Sequence, residues 1–245
     1  SVAIGGNSTL GGAMCEALGA YGAKVAVVGR NREKSEEVKA RIEAHGGEAA
    51  VFEADATSRA DLERVLSEVL AWTGSVDILL NCPGVNSTTP FFEITEEEWD
   101  RIMDVNLKSV VLACQVFGKR MIDQGRGGSI INISSVSSGP PLSKVFTYSA
   151  SKAGVNSVTQ FLAREFAPAG VRVNAIIPGF FPAVQNRKIL SEDRVRSILG
   201  HTPMNRFGDP SELQGAAVYL ASEKASGFVT GTFLRVDGGF GAVTI

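Results

Sequence analysis

Seven short apolar runs alternate with longer amphipathic stretches along the chain. Ser1–Ile4, Lys24–Val28, Ala49–Glu53, Val76–Leu80, Ser129–Ile133, Val171–Ile177 and Thr232–Val236 are each about strand length and rich in Val, Ile, Ala and Leu. Such runs read as strands buried on both faces. Between them, Gly11–Tyr21, Arg32–His45, Ser58–Trp72, Ala150–Pro168 and Pro210–Ser222 read as helices, and Glu96–Gln124 as one or two more. Asp209-Pro210 puts a capping residue ahead of a proline in the first turn. Strand–helix alternation over the whole length predicts βαβ units and a parallel sheet. Right-handed crossovers place helices on both faces. The expected fold class is therefore α/β: a Rossmann-type, doubly wound, seven-stranded parallel sheet, as one domain over 1–245. Phe180–Thr202 is the longest poorly patterned region. A segment at about 180–205 is expected to cover the substrate.

Composition narrows the partners. The 245 residues carry 24 basic and 26 acidic side chains, a net charge of −2, so no general attraction to nucleic acid or anionic membrane is expected. No apolar run approaches the roughly 18 residues of a membrane span. The opening SVAIGG reads as a strand end and a turn, not a signal peptide, so the strand is expected to begin a few residues before Ser1. Cys15, Cys82 and Cys114 are odd in number and widely spaced, and His45 and His201 lie far apart. Neither a disulfide framework nor a metal site is expected. Reduced core cysteines fit a cytoplasmic location.

Gly5-Gly6-Asn7-Ser8-Thr9-Leu10-Gly11-Gly12 falls between the first strand and the first helix. Glycines there let the backbone approach a pyrophosphate, and the helix N-terminus offers free N–H groups. The spacing is not GxGxxG; Gly5 and Gly11 bracket five residues. The second strand runs out into Gly29-Arg30-Asn31. An NAD-selective site usually carries an acid about 20 residues past the glycines, to hold the ribose 2′-OH. Arg30 can pair instead with a 2′-phosphate, or be a solvated residue at a helix start. NADP(H) is therefore the favoured cofactor, with NAD(H) as the other option. Asp55 either caps the next helix or accepts from adenine.

Tyr148-Ser149-Ala150-Ser151-Lys152 opens a helix, with Tyr and Lys on one face. A phenol near pKa 10 is a poor base, and an ammonium one turn away is expected to lower it. The phenol then exchanges a proton with a carbinol or carbonyl oxygen. Ser135, just past the fifth strand, can hold the same oxygen. Asn106 either bends its helix or anchors a water that relays protons to Lys152.

Taken together, these motifs resemble the short-chain dehydrogenase/reductase family over essentially the whole chain. Asn81-Cys82-Pro83-Gly84 is similar to that family's NNAG segment, Pro178-Gly179 to its PG turn, and Val236-Asp237-Gly238-Gly239 to its last strand exit. The resemblance implies a Ser–Tyr–Lys–Asn tetrad at Ser135, Tyr148, Lys152 and Asn106. It implies a cofactor site at Gly5, Asn7, Ser8, Thr9, Leu10, Gly11, Arg30, Asn31, Asp55, Ala56, Asn81, Gly84, Pro178, Gly179 and Phe181, together with Tyr148 and Lys152. It also implies a homotetramer, with which the apolar run Val110–Phe117 is compatible. The chain departs from the family at Ile4, Thr9, Cys82, Pro83 and Ala183, where a Thr, a Gly, an Asn, an Ala and a Thr are usual.

Ile130–Ser135, Pro178–Phe181, Gln185-Asn186-Arg187, His201–Gly208 and the tail from Phe228 to Phe240 resemble the D-mannonate oxidoreductase (fructuronate reductase) branch. That likeness implies interconversion of D-mannonate and D-fructuronate. A sugar acid needs a cation and amide donors, and Arg187, Asn186, Gln185, Lys144 and Asn86 are the candidates. Two other readings stand beside it: a generic 3-oxoacyl or sugar-alcohol reductase of the same family, and a non-catalytic nucleotide-sensing protein on the same fold.

Overall fold

Along the first strand, Val2 and Ile4 turn to one side of the sheet and Ala3 to the other, and all three are at most 1% exposed. Side-chain alternation with both faces covered is what a central parallel strand requires. The computed structural model describes residues 1–182 and 191–242. Its strands are β1 (Val2–Ile4), β2 (Lys24–Gly29), β3 (Glu48–Glu53), β4 (Ile78–Asn81), β5 (Gly128–Ile133), β6 (Val171–Pro178) and β7 (Phe233–Val236). They form one seven-stranded sheet in the order β3-β2-β1-β4-β5-β6-β7, every pair parallel. The order reverses between β1 and β4, and such a switch point opens a cleft at the carboxyl ends of the strands.

Helices cover both faces. One core layer packs α3 (Arg59–Thr73), a long helix α4 over 96–124, and α5 (Phe146–Phe166) against Val2, Ile4, Leu79, Ile130 and Val173. The other packs α1 (Thr9–Ala20), α2 (Arg32–Ala44) and α7 (Gln214–Ala221) against Ala3, Val27, Leu80, Ile131 and Ile176. In chain order α6 (Glu192–Gly200) falls between α5 and α7, and α8 (Glu223–Ser226) follows α7. Local chemistry sets the boundaries. Ser8, Asn31, Ser58, Thr95 and Ser191 each accept a bond from the first turn of the helix that follows. α3 buries Leu62, Val65 and Val69 along one stripe and stops at Gly74, whose φ is +76°.

The 96–124 stretch is one continuous helix interrupted by two π-helical turns, Asp104–Lys108 and Cys114–Gly118. The Val110–Phe117 run is explained by the core: Val110, Ala113, Cys114, Val116 and Phe117 are all buried within the protomer. α5 begins at Phe146, four residues before the expected start, so Tyr148 lies inside its first turn.

Candidate active site

Three elements deliver side chains to the carboxyl end of the sheet at the switch point. The loop after β4 passes over Lys152, the loop after β5 carries Ser135, and the first two turns of α5 carry Tyr148 and Lys152. Ser135 is extended, at φ −163°, and its hydroxyl accepts from Ser137 N at 3.2 Å and Ser137 Oγ at 3.1 Å. Ser137 is almost fully buried and fixes Ser135 in place. The SSVSS run, with serines two apart, was the available signal for this support.

Lys152 is 3% exposed and donates from Nζ to Ile133 O at 2.9 Å and Pro83 O at 3.3 Å. Burial pushes its ammonium down to about 8, and only Cys82 opposes that shift. Burial also pushes the Tyr148 phenol up, while the Ser135 hydroxyl pulls it back down. The expected lowering of the phenol by Lys152 is therefore corrected. Nζ lies 5.8 Å from the centre of the Tyr148 ring and is held by two carbonyls, and burial is the largest influence on the phenol.

Asn106 sits in the first π-helical turn, completely buried. Its Oδ1 accepts from Val85 N at 2.8 Å, and its Nδ2 donates to Val85 O at 2.9 Å and to Ser151 Oγ at 3.0 Å. Ser151 Oγ donates in turn to Tyr148 O at 2.7 Å. The amide is thus engaged by the loop after β4 and by Ser151 of α5. Glu98 braces the same loop through Ser87 and Thr89, at 2.7 and 2.6 Å.

The glycine-rich turn lies beside this group. Gly5 has φ +70°, and a Cβ there would approach the Cys82 carbonyl carbon to 2.9 Å, so the turn is pressed against the 82–83 peptide. Ser8 caps α1, and the amides of Thr9 and Leu10 precede the first intrahelical bond. Thr9 does not have positive φ, so the backbone tolerates a side chain where the family usually has glycine. A cavity of about 160 Å³ touches Gly5, Ser8, Gly29, Asp55, Cys82 and Val85. It adjoins a second of about 670 Å³ bordered by Arg30, Arg32, Phe52, Asp55 and Arg64. A donor-rich helix start at one end and exposed guanidinium groups at the other fit a dinucleotide phosphate chain.

Other expected residues fall as follows. Asn31 caps α2, bonding Lys34 N. Asp55 does not cap α3, a role taken by Ser58; it forms an Asx turn with Thr57 at 2.9 and 2.8 Å, and those bonds hold its carboxyl below the usual range. Asn81 is corrected: it is fully buried and donates inward to Asn132 Oδ1 at 2.9 Å, so its side chain does not line the cleft. A Cβ on Gly84 would come within 3.8 Å of Lys152 Nζ, so Gly84 borders the ammonium. Leu10 and Ala56 pack onto the two core layers. Pro178 ends β6, and Gly179 is needed for packing, because a Cβ there would meet Asp237 Cα at 2.7 Å. The Phe181 ring packs against Gly208, where it fills the space a Cβ would need. Lys144 is exposed, at φ 66°, in the loop before α5, so it does not share a helix face with Tyr148. Asn86 is exposed and bonds Ser87 N. Gln185, Asn186 and Arg187, and also Ala183, lie outside the described residues. Among the described residues no cluster of metal-ligating side chains is present, and no helix is long and apolar enough to cross a membrane.

Residues 4–241 match the family described as Enoyl-(Acyl carrier protein) reductase. The chain is 40% identical to an oxidoreductase called UxuB from Bacillus subtilis, itself uncharacterized, over 98% of this chain and 94% of that one. A protein from Haemophilus influenza designated a D-mannonate oxidoreductase, solved with bound NAD, superposes with a TM-score of 0.93 at 33% identity, covering 99% and 95% of the two chains. A gluconate 5-dehydrogenase from Burkholderia cenocepacia, solved with NADP and tartrate, does so with a TM-score of 0.93 at 31% identity and the same coverage. Sheet order, glycine-rich turn and the Ser135–Tyr148–Lys152 group agree with that kinship: the chain belongs to the short-chain dehydrogenase/reductase family of oxidoreductases.

Proposed function

We propose that the protein interconverts a sugar acid and its keto form with NADP(H), NAD(H) serving as the second choice, and that D-mannonate and D-fructuronate are the pair. The observation that carries the oxidoreductase chemistry is the convergence of Tyr148, Ser135 and Lys152 beside the cleft. A nicotinamide dinucleotide, when bound there, supplies or takes the hydride. The chain's part is to hold the substrate oxygen on Ser135 Oγ and Tyr148 Oη and to move its proton through the phenol. Lys152 supplies positive charge next to the site, and Asn106 holds the loop that passes over Lys152. All these groups are present, which disfavours the non-catalytic reading.

The designations of the two solved structures support a sugar-acid substrate, and Arg30 with no acid at position 29 supports NADP(H). Substrate contacts are assigned to Arg187, Asn186 and Gln185, with Asn86 and Lys144 at the rim. The segment around 180–205 is assigned to cover them. A homotetramer is part of the proposal, with exposed Phe92 and Phe161 as its apolar contacts. So is a cytoplasmic location, in keeping with three unpaired cysteines. Membership of a family described by enoyl-(acyl carrier protein) reduction makes an acyl thioester the competing substrate class. The test follows NADPH absorbance with D-fructuronate, a neutral keto sugar and a 3-oxoacyl thioester. kcat/KM highest for the keto acid is expected; preference for the thioester overturns the sugar-acid assignment.

A further inference from the structure

Gly29 ends β2 in register with Glu53, and its φ is not positive. Its backbone conformation is therefore open to any residue, and glycine is not required by torsion. Space requires it. A Cβ on Gly29 would lie 2.5 Å from Asn7 Cγ and 2.6 Å from Asn7 Oδ1, and closer still to Nδ2. Optimal contacts between such atoms are about 3.5–4.0 Å. Asn7 cannot simply swing aside, because Nδ2 donates to Asn31 O and to Ser35 Oγ, both at 3.1 Å. Ser35 is completely buried and donates to the same Asn31 O at 3.0 Å, which closes a triangle. Asn31 in turn caps α2 through Lys34 N.

Position 29 is where β2 delivers a side chain to the adenosine end of the cleft, since Gly29, Arg30 and Asp55 border the same cavity. An acid there would bond the ribose 2′-OH and repel a 2′-phosphate. We propose that Asn7 is a specificity-determining residue for the cofactor: its amide fills the space a side chain at position 29 would use, and so excludes the acid that selects NAD(H). The strap to Asn31 does a second job. It ties the glycine-rich turn to the start of α2 and fixes the direction in which Arg30 leaves the strand. Asn7 therefore couples the phosphate end of the site to its adenosine end without touching the reacting atoms.

This inference rests on the NADP(H) reading above, and cofactor titration keeps the two separate. Binding of NADPH and NADH is measured by fluorescence, without substrate, for wild type, Gly29→Asp, Asn7→Ala and the double variant, Arg30 being kept throughout. Gly29→Asp alone should weaken NADPH at least tenfold and gain nothing with NADH. Asn7→Ala removes all three clashing atoms, so the double variant should bind NADH about 10- to 100-fold more tightly than wild type. Gly29→Ala supplies a second readout: its melting temperature should fall, and Asn7→Ala should restore it. Three results overturn the proposal: an NADH gain in Gly29→Asp equal to that of the double variant, no NADH gain in either, or a Gly29→Ala protein that melts like wild type. Wild type failing to bind NADPH would instead refute the cofactor reading on which the proposal stands.

Discussion

Lys152 Nζ stands 5.8 Å from the centre of the Tyr148 ring and spends its donors on the carbonyls of Ile133 and Pro83. The ammonium is thus locked to the ends of two strand connections, and the phenol stays a neutral acid at ordinary pH. That is the form needed to protonate a carbonyl oxygen. Tyr148→Phe removes the transferable proton and keeps the ring. General acid–base groups contribute roughly 10²–10⁴-fold. The variant should lose at least the lower end of that range in kcat with its circular dichroism unchanged. Near-wild-type turnover would sink the mechanism.

Burial of Lys152 makes stability depend on pH. In the unfolded chain a lysine holds its proton up to 10.5, whereas the folded protein releases it near 8. Below 8 both states are charged, and the folded state carries the full cost of a buried ammonium. Between 8 and 10.5 the unfolded state binds the extra proton, so this group's contribution rises with pH. The gap corresponds to about 3 kcal/mol at most. Lys152→Met should therefore be more stable than wild type at neutral pH, and that advantage should shrink as pH rises through the window. Urea unfolding of both proteins at several pH values checks it; a stability gap independent of pH contradicts it.

Much of this architecture was legible because buried parallel strands and capped helices are written in local patterns. Val25 to Val28 could hardly be anything but a strand, and Ser58 followed by Leu62, Val65 and Val69 marks a helix and its inner face. What stayed hidden depends on partners distant in sequence. Asn81 enters the expected cofactor site through its likeness to the NNAG segment, but its register opposite Asn132 turns the amide into the core. The π-helical turn at Asn106 leaves no mark on hydrophobic periodicity; only its grip on Val85 shows its use. Ser191 could have signalled α6, yet α6 buries only Ile198 and so gave no apolar stripe to read.

Arg30 should decide the charge preference at the adenosine end. It is exposed at the rim of the 670 Å³ cavity, and with Asp55 it borders the 160 Å³ cavity as well. Replacing it with Asp should repel a 2′-phosphate and offer an acceptor to a 2′-OH. NADPH affinity should fall and NADH use should improve. Titrating both cofactors against wild type and Arg30→Asp decides the matter, and an unchanged ratio rejects the role.

Asn106→Ala should loosen the loop over Lys152. The substitution leaves the partly buried Val85 N–H and C=O without their shared partner. Each unsatisfied group costs about 1–3 kcal/mol. In a chain of this size, 1 kcal/mol lowers the melting temperature by about 2–4 °C. The variant should melt several degrees lower and bind NADPH more weakly. An unchanged melting temperature would show that water replaces the amide without loss.

Arg187 carries the sharpest claim about substrate. It follows the Pro178-Gly179 turn by eight residues, within the segment assigned to cover the cleft. A charge-assisted bond to a carboxylate contributes about 1.5–3 kcal/mol, roughly 10- to 150-fold in binding. Arg187→Ala should raise KM for a sugar acid by about that factor. A neutral keto sugar has no carboxylate to lose, so its KM should hardly change. The comparison therefore separates recognition from architecture: a structural role for Arg187 would weaken both substrates alike. kcat/KM for the acid and the neutral analogue, measured in both proteins, reads the difference directly. Equal losses on the two substrates would remove the main physical support for a sugar acid and leave the acyl and sugar-alcohol readings in the field.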